Sequence, residues 1–229
     1  MGTGLNKHMD IDIYSYYRSH GISSAWEENH QFANWLTQRK KPAITVELGV
    51  DYGFSLFALS EYNTGHAFGI DLFTGDAHAG HRDWESQYRQ VNNFILQNNM
   101  YRTHLIRGDF HAVAAEWNLP VDILHIDGLH TFDAVRNDWN AWAPKLANSA
   151  VTIFHDTVSF EGPRQLIQEI KNQTPDLCVG NFHNGAGLGL VTFDRELFEE
   201  IKQNFGIFRE VEAVVPLAGV EPAEPSPSN

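Results

Sequence analysis

The feature that most restricts this chain is a recurring unit: a short apolar run, an acid or a glycine at its end, then a helical stripe. ITVELGV (44–50), HAFGIDLF (66–73), THLIRGDF (103–110), VDILHID (121–127), AVTIFHD (150–156), LCVGNF (177–182) and LGLVTF (188–193) read as short buried strands. Between two of them Phe132, Val135, Trp139 and Trp142 step by three, four and three residues, one apolar helix face, and Pro144 follows. Leu166, Ile167 and Ile170 do the same after Gly162-Pro163. Strands alternating with helices predict a parallel sheet covered on both faces, a doubly wound α/β fold. Only HNGAG separates the last two runs, which predicts an antiparallel hairpin closing the sheet. Ligands of such sheets bind beyond the carboxyl ends of the strands. Those ends carry Glu47 and Gly49, Asp71, Gly108 and Asp109, Asp127, and His155 with Asp156.

Composition then removes several function classes. The 229 residues suffice for one domain with a core of its own. Acids outnumber bases 29 to 16, a net charge of −13, and such a surface repels nucleic-acid backbones and anionic membranes. The single cysteine, Cys178, excludes an internal disulfide framework and a cysteine-based zinc site, and within a strand it reads as a small buried hydrophobe. No apolar run is long enough for a transmembrane helix, and MGTGLNKHMD lacks the basic-then-apolar order of a signal peptide, so a soluble cytoplasmic protein is expected. Three regions are expected: an N-terminal helical extension (1–41), the α/β domain (42–209) and a tail (210–229). The extension carries Tyr14, Tyr16, Tyr17 and Trp26, which read as core or interface, leaving a homo-oligomer open. The tail holds four acids and four prolines without a basic residue and reads as disordered.

VELGVDYGFS places Glu47, Gly49 and Gly53 between a strand and a helix beginning near Ser55. Glycines there permit a tight turn and close ligand approach. The spacing is E-x-G-x-x-x-G and not the G-x-G-x-x-G of dinucleotide sites, and two glycines alone are a weak signal. Asp71, ending the next strand, strengthens it, because an acid at that place accepts hydrogen bonds from ribose hydroxyls. An acid in place of the first glycine suits a ligand with a cationic end better than a pyrophosphate, which favours S-adenosylmethionine over NAD.

VELGVDYGFS, GIDLFTGD, IRGDF, VDILHIDGLHTFDAVRNDWNAWAPKL and AVTIFHDT, in that order, resemble class I S-adenosylmethionine-dependent methyltransferases. The nearest group is methyltransferase family 24, related to macrocin-type O-methyltransferases. The resemblance implies a Rossmann-like seven-stranded sheet, mostly parallel with the last strand antiparallel and helices on both faces. It also implies that Glu47, Gly49 and Gly53, with Ser55 at the helix start, line the methionine side of the cofactor. Asp71 would hold the ribose, and Asp109 with Phe110 would border the adenine. Read from the residues alone, Asp109 is equally a helix N-cap.

HIDGLH ends the fourth run with Asp127 and puts His130 three residues later, and FHD ends the fifth with His155 and Asp156. Neighbouring strand ends lie side by side, so these groups can converge. Two carboxylates and an imidazole suit a divalent metal, which would relieve the carboxylates' repulsion and orient an acceptor hydroxyl. His130, with an imidazole pKa near neutrality, would take the proton. The resemblance matches Asp127, His155 and Asp156 to metal ligands and His130 to the general base. His155 stands where relatives carry an acid, which leaves Mg or Mn, a softer ion or none.

The expected function is S-adenosylmethionine-dependent O-methylation of a small hydroxylated molecule, with sugars among the acceptors, and His130 and Asp127 as catalytic residues. The rivals are an NAD-binding Rossmann oxidoreductase and a non-catalytic S-adenosylmethionine-binding module. Asp76, His78 and His81 read either as a substrate loop or as a solvated one, and His183 as part of the hairpin. His125, inside the fourth run, reads as a satisfied core histidine.

Overall fold

In the computed structural model the described residues are 12–75, 80 and 82–214. Asp76, His78, His81 and the tail beyond residue 214 lie outside them. Among the described residues all seven expected strands form, together with an eighth: β1 (Ile44–Leu48), β2 (His66–Asp71), β3 (Thr103–Arg107), β4 (Val121–Ile126), β5 (Leu146–His155), β6 (Cys178–Phe182), β7 (Leu188–Thr192) and β8 (Phe208–Glu210). They make one sheet in the order β3-β2-β1-β4-β5-β7-β6-β8. The pairs from β3 across to β5 are parallel. β7 runs antiparallel between β5 and β6, through the expected hairpin, and β8 adds antiparallel to β6.

The sheet is therefore mostly parallel with an antiparallel end, and it has eight strands where seven were expected. Phe208-Arg209-Glu210 is too short to show an alternation, and its burial comes from one ring: Phe208 packs over Gly180, which has no Cβ to obstruct it. β5 begins at Leu146, four residues before the expected run, because its first part carries Asn148 and Ser149 into solvent and lacks an apolar pattern.

Among the described residues eight α-helices accompany this sheet: α1 (Ile13–His20), α2 (His30–Lys40), α3 (Phe54–Glu61), α4 (Trp84–Gln97), α5 (Phe110–Glu116), α6 (Phe132–Trp142), α7 (Glu161–Gln173) and α8 (Arg195–Asn204). Successive strand residues serve opposite faces. On β4, Ile123 joins a cluster with Phe32, Leu36, Phe57, Phe94 and Phe198, from α2, α3, α4 and α8. Leu124 and Ile126 join the other cluster, with Ala114, Val135, Trp142 and Leu166 from α5, α6 and α7. The α6 stripe behaves as its spacing predicts: Val135 and Trp142 are buried, and Phe132 and Trp139 pack at the margin. Trp142 is fully buried, and truncating such a side chain to alanine costs about 3–5 kcal/mol.

The aromatic N-terminal segment is part of this core. Ile13, Tyr17 and Trp26 are buried in the first cluster, and α1 closes at Gly21 in the left-handed conformation. No helix among the described residues is long and apolar enough to cross a membrane.

Candidate active site

The ends of β1, β2, β4 and β5 surround a cavity of about 650 Å³. One wall is the loop between β1 and α3. Gly49 has φ +90°, and a Cβ there would overlap the Asp127 carbonyl oxygen, so only glycine lets the end of β1 pass this close to the end of β4. Gly53, at φ +87°, caps α3. Phe54 and Ser55, the first residues of α3, line the cavity, which places the positive end of the helix dipole beside it.

Asp71 ties this loop in place. Its Oδ2 accepts from the Val50 and Asp51 N–H groups at 2.9 and 3.3 Å, and its Oδ1 from the Phe73 N–H at 2.6 Å. A carboxylate offers about four lone-pair sites, so a ligand hydroxyl can still donate to it. Asp109 caps α5, its Oδ1 accepting from the His111 and Ala112 N–H groups at 3.0 and 2.9 Å, and it lines the cavity as well. Of the expected cofactor residues, Gly49, Ser55, Asp71, Asp109 and Phe110 line the cavity. Gly53 and Glu47 stand behind the wall. The Glu47 carboxyl is fully buried and accepts a 2.5 Å hydrogen bond from the Ser55 hydroxyl, and burial pushes its pKa up.

The opposite wall is made of side chains. Because β4 and β5 pair with Ile126 beside Phe154, Asp127, His130, His155 and Asp156 converge. His130 Nε2 lies 2.8 Å from Asp156 Oδ2 and 3.4 Å from Asp127 Oδ1. His155 Nδ1 lies 3.2 Å from Asp156 Oδ2 and 3.4 Å from Asp127 Oδ1. Phe160 stacks on His130 with ring centroids 4.5 Å apart, and Trp26 covers His155 at 5.7 Å. Asp156 holds φ +62°, a left-handed conformation that aspartate tolerates better than most residues.

Electrostatically this wall is built on two acids and two imidazoles. Burial by itself lowers an imidazole pKa, but the two carboxylates outweigh it and push His130 up to about 9 and His155 up to about 10. Burial likewise opposes ionisation of Asp127 and Asp156, yet the imidazoles hold both below the usual carboxylate range. The near-neutral pKa expected for His130 is corrected accordingly, since two carboxylates face it. Asp127, His130 and Asp156 each offer one donor atom within 4.8 Å of the others, a trio able to hold a metal. Its histidine is His130, whereas the resemblance implied His155.

Two further residues differ from the sequence reading. His125 is fully buried, but neither ring nitrogen has a hydrogen-bond partner among the described residues, so it is not a satisfied core histidine. It faces acids instead, because it shares a side of β4 with Asp127: Glu47 Oε1 is 3.8 Å away and Asp127 Oδ2 4.0 Å. Trp26 belongs to the core and also lines the cavity together with Ser23, Ser24 and Ala25. No spacing in the sequence marks that segment as a wall. Arg82 also lines the cavity and pairs with Asp51, while His183 is exposed and takes no part in it.

A family model described as a methyltransferase domain matches residues 46–157, the stretch that carries Gly49, Asp71, Asp127, His130, His155 and Asp156. The chain is 33% identical over 187 residues to the uncharacterized protein y4gI of Sinorhizobium fredii (strain NBRC 101917 / NGR234), a match covering 77% of this chain. The chain spans only 20% of that protein's length. A crystal structure of a methyltransferase from Geobacter sulfurreducens is similar at a TM-score of 0.59 and 16% identity, covering 78% of this chain and 84% of the other. An O-methyltransferase from Bacillus cereus in complex with SAH gives 0.60 at 13% identity, covering 82% and 91%. At those identities the structures speak for the fold. Family match and fold coincide on the same strands, and residues 46–157 carry a methyltransferase domain.

Proposed function

We propose that this protein is an S-adenosylmethionine-dependent O-methyltransferase acting on a small hydroxylated molecule, with sugars among the acceptors. The observation that carries the reading is the shared cavity: a main-chain cradle with an acid at the end of β2 lies opposite a proton-handling cluster at the ends of β4 and β5. The cradle fits the cofactor by the start of α3 and by the remaining acceptor capacity of Asp71. The SAH held by the Bacillus cereus protein is consistent with that fit. The NAD-dependent alternative loses its ground, since the cradle carries Glu47 where a dinucleotide site has its first glycine.

S-adenosylmethionine supplies a sulfonium methyl group, and the chain's residues do the rest. Phe160 fixes the plane of His130. The proton leaving the acceptor hydroxyl is held at His130 Nε2, where Asp127 and Asp156 stabilise the imidazolium. A base with a pKa of about 9 is strong once neutral but is mostly protonated at pH 7. Turnover therefore rises with pH up to about 9.

A second reading is favoured by the trio Asp127, His130 and Asp156. Its imidazole and two carboxylates suit manganese or a softer ion better than magnesium. A bound ion would polarise the acceptor oxygen as a Lewis acid. His130 Nε2 serves one role at a time, so the two readings separate experimentally.

The deciding experiment is calorimetric titration of the purified protein with SAH, followed by transfer from labelled S-adenosylmethionine to a panel of hydroxylated acceptors, with and without EDTA. Binding and EDTA-resistant transfer support the base reading, and EDTA-sensitive transfer supports the metal reading. Absence of any SAH binding sinks both.

A further inference from the structure

Glu47 and His125 are register partners in the middle of the sheet, opposite one another on β1 and β4. Both are fully buried. Two ionisable side chains at such a place are costly, and an apolar pair of the same volume stabilises a sheet at least as well. Packing gives no reason for them. Their surroundings do. Glu47 Oε1 accepts from Ser55 at the start of α3, beneath the loop wall. His125 Nδ1 lies 3.8 Å from Glu47 Oε1, and His125 Nε2 lies 4.0 Å from Asp127 Oδ2, close enough for charge to act although neither makes a hydrogen bond. Asp127 Oδ1 in turn faces His130 and His155, each at 3.4 Å. Trp26 presses edge-on against the His125 ring, with centroids 4.7 Å apart at 77°, which fixes the plane in which the two nitrogens point.

We infer that His125 is a positioning residue: it holds the Asp127 carboxylate with Oδ1 turned toward His130 and His155, and through Glu47 and Ser55 it ties that orientation to the first turn of α3. His125 does not line the cavity and touches no substrate; it acts through Asp127. Only its kinetic consequence rests on the methyl-transfer reading. Groups of this kind, one step behind the reacting residues, set the aim of a site, and their loss typically costs about 10–100-fold.

The two ring nitrogens have different neighbours, so two conservative variants separate them. In His125→Gln the amide reaches toward Asp127; in His125→Asn it stays near Glu47; His125→Phe removes both contacts. The first readout needs neither cofactor nor acceptor: imidazole ¹⁵N resonances of His130 and His155 in the full chain. His125→Phe and His125→Asn are expected to shift them, and His125→Gln to restore wild-type positions. The second readout is transfer from S-adenosylmethionine, with kcat down about 10–100-fold in His125→Phe, KM for the cofactor within about threefold, and recovery in His125→Gln only. Unchanged His130 and His155 resonances in a folded His125→Phe protein overturn the inference. If that variant fails to fold, identical resonances in His125→Gln and His125→Asn overturn it equally. A wild-type protein that binds no SAH removes the methyl-transfer reading, while the resonances still decide the role of His125.

Discussion

Between β1 and α3 the cavity wall is main chain: Gly49 against the Asp127 carbonyl, and three backbone N–H groups on Asp71. Across the cavity the wall is side chain: two carboxylates and two imidazoles whose partners lie 2.8 to 3.4 Å apart. The first wall gets its shape from φ angles and from main-chain N–H groups held by the Asp71 carboxylate, and it hinges on Gly49 and Asp71. The second gets its shape from charge pairing, which a proton or one substitution rearranges. On the proposed reading, binding falls to the Gly49–Asp71 wall and chemistry to the titratable one.

The largest expected effect tests the titratable wall. His130→Ala lowers methyl transfer about 10²–10⁴-fold and leaves SAH affinity near that of the wild type, read by steady-state kinetics and calorimetry. A parallel loss of SAH affinity would erase the division of labour. Next comes the Gly49–Asp71 wall. Gly49→Ala places a Cβ against backbone at a positive φ and is expected to destabilise the fold by about 3 kcal/mol and abolish SAH binding. Thermal unfolding and titration check this; a stable variant that binds SAH shows that the loop yields.

The pH dependence of stability ranks third. His130 and His155 have folded pKa values of about 9 and about 10, above the ordinary imidazole value of 6.5. Their contribution is complete below pH 6.5 and is lost as pH rises through 9 to 10. The melting temperature should fall over that window, and His130→Gln should flatten the fall. An unchanged slope in that variant would place the linkage elsewhere. The smallest effect belongs to Asp109→Ala, which removes the α5 cap at a cost of about 1 kcal/mol. Chemical denaturation measures it, and a loss of SAH affinity beyond that figure marks Asp109 as a binding residue as well as a cap.

Sequence legibility follows the same divide. The strand runs and the α6 stripe are visible because apolar periodicity repeats over several residues. The loop wall announces itself through glycine spacing, since a positive φ leaves few residue choices. Strand order brought Asp127 and His130 beside His155 and Asp156, because parallel neighbours end at one level. What stayed hidden depends on distances that no spacing encodes: that His130 pairs most closely with Asp156 and not Asp127, and that His125 faces two acids. Trp26 was hidden for another reason, since a residue can be core on one edge and cavity wall on another. β8 was too short to carry a pattern at all.

The contact of Gly49 with the Asp127 carbonyl joins the two walls through the backbone, reinforced by the Asp127 N–H bonded to the Leu48 carbonyl at 2.8 Å. On the proposed reading, the span between methyl donor and proton acceptor is set by the sheet itself. For an acceptor with several hydroxyls, that fixed span becomes regiochemistry: the ring position that receives the methyl group is the one whose oxygen can stand at that single point. The residues around the rest of the molecule, Ser23 to Trp26 and Phe160 among them, choose which face it presents. Exchanging them should therefore change the product's isomer before it changes the reaction.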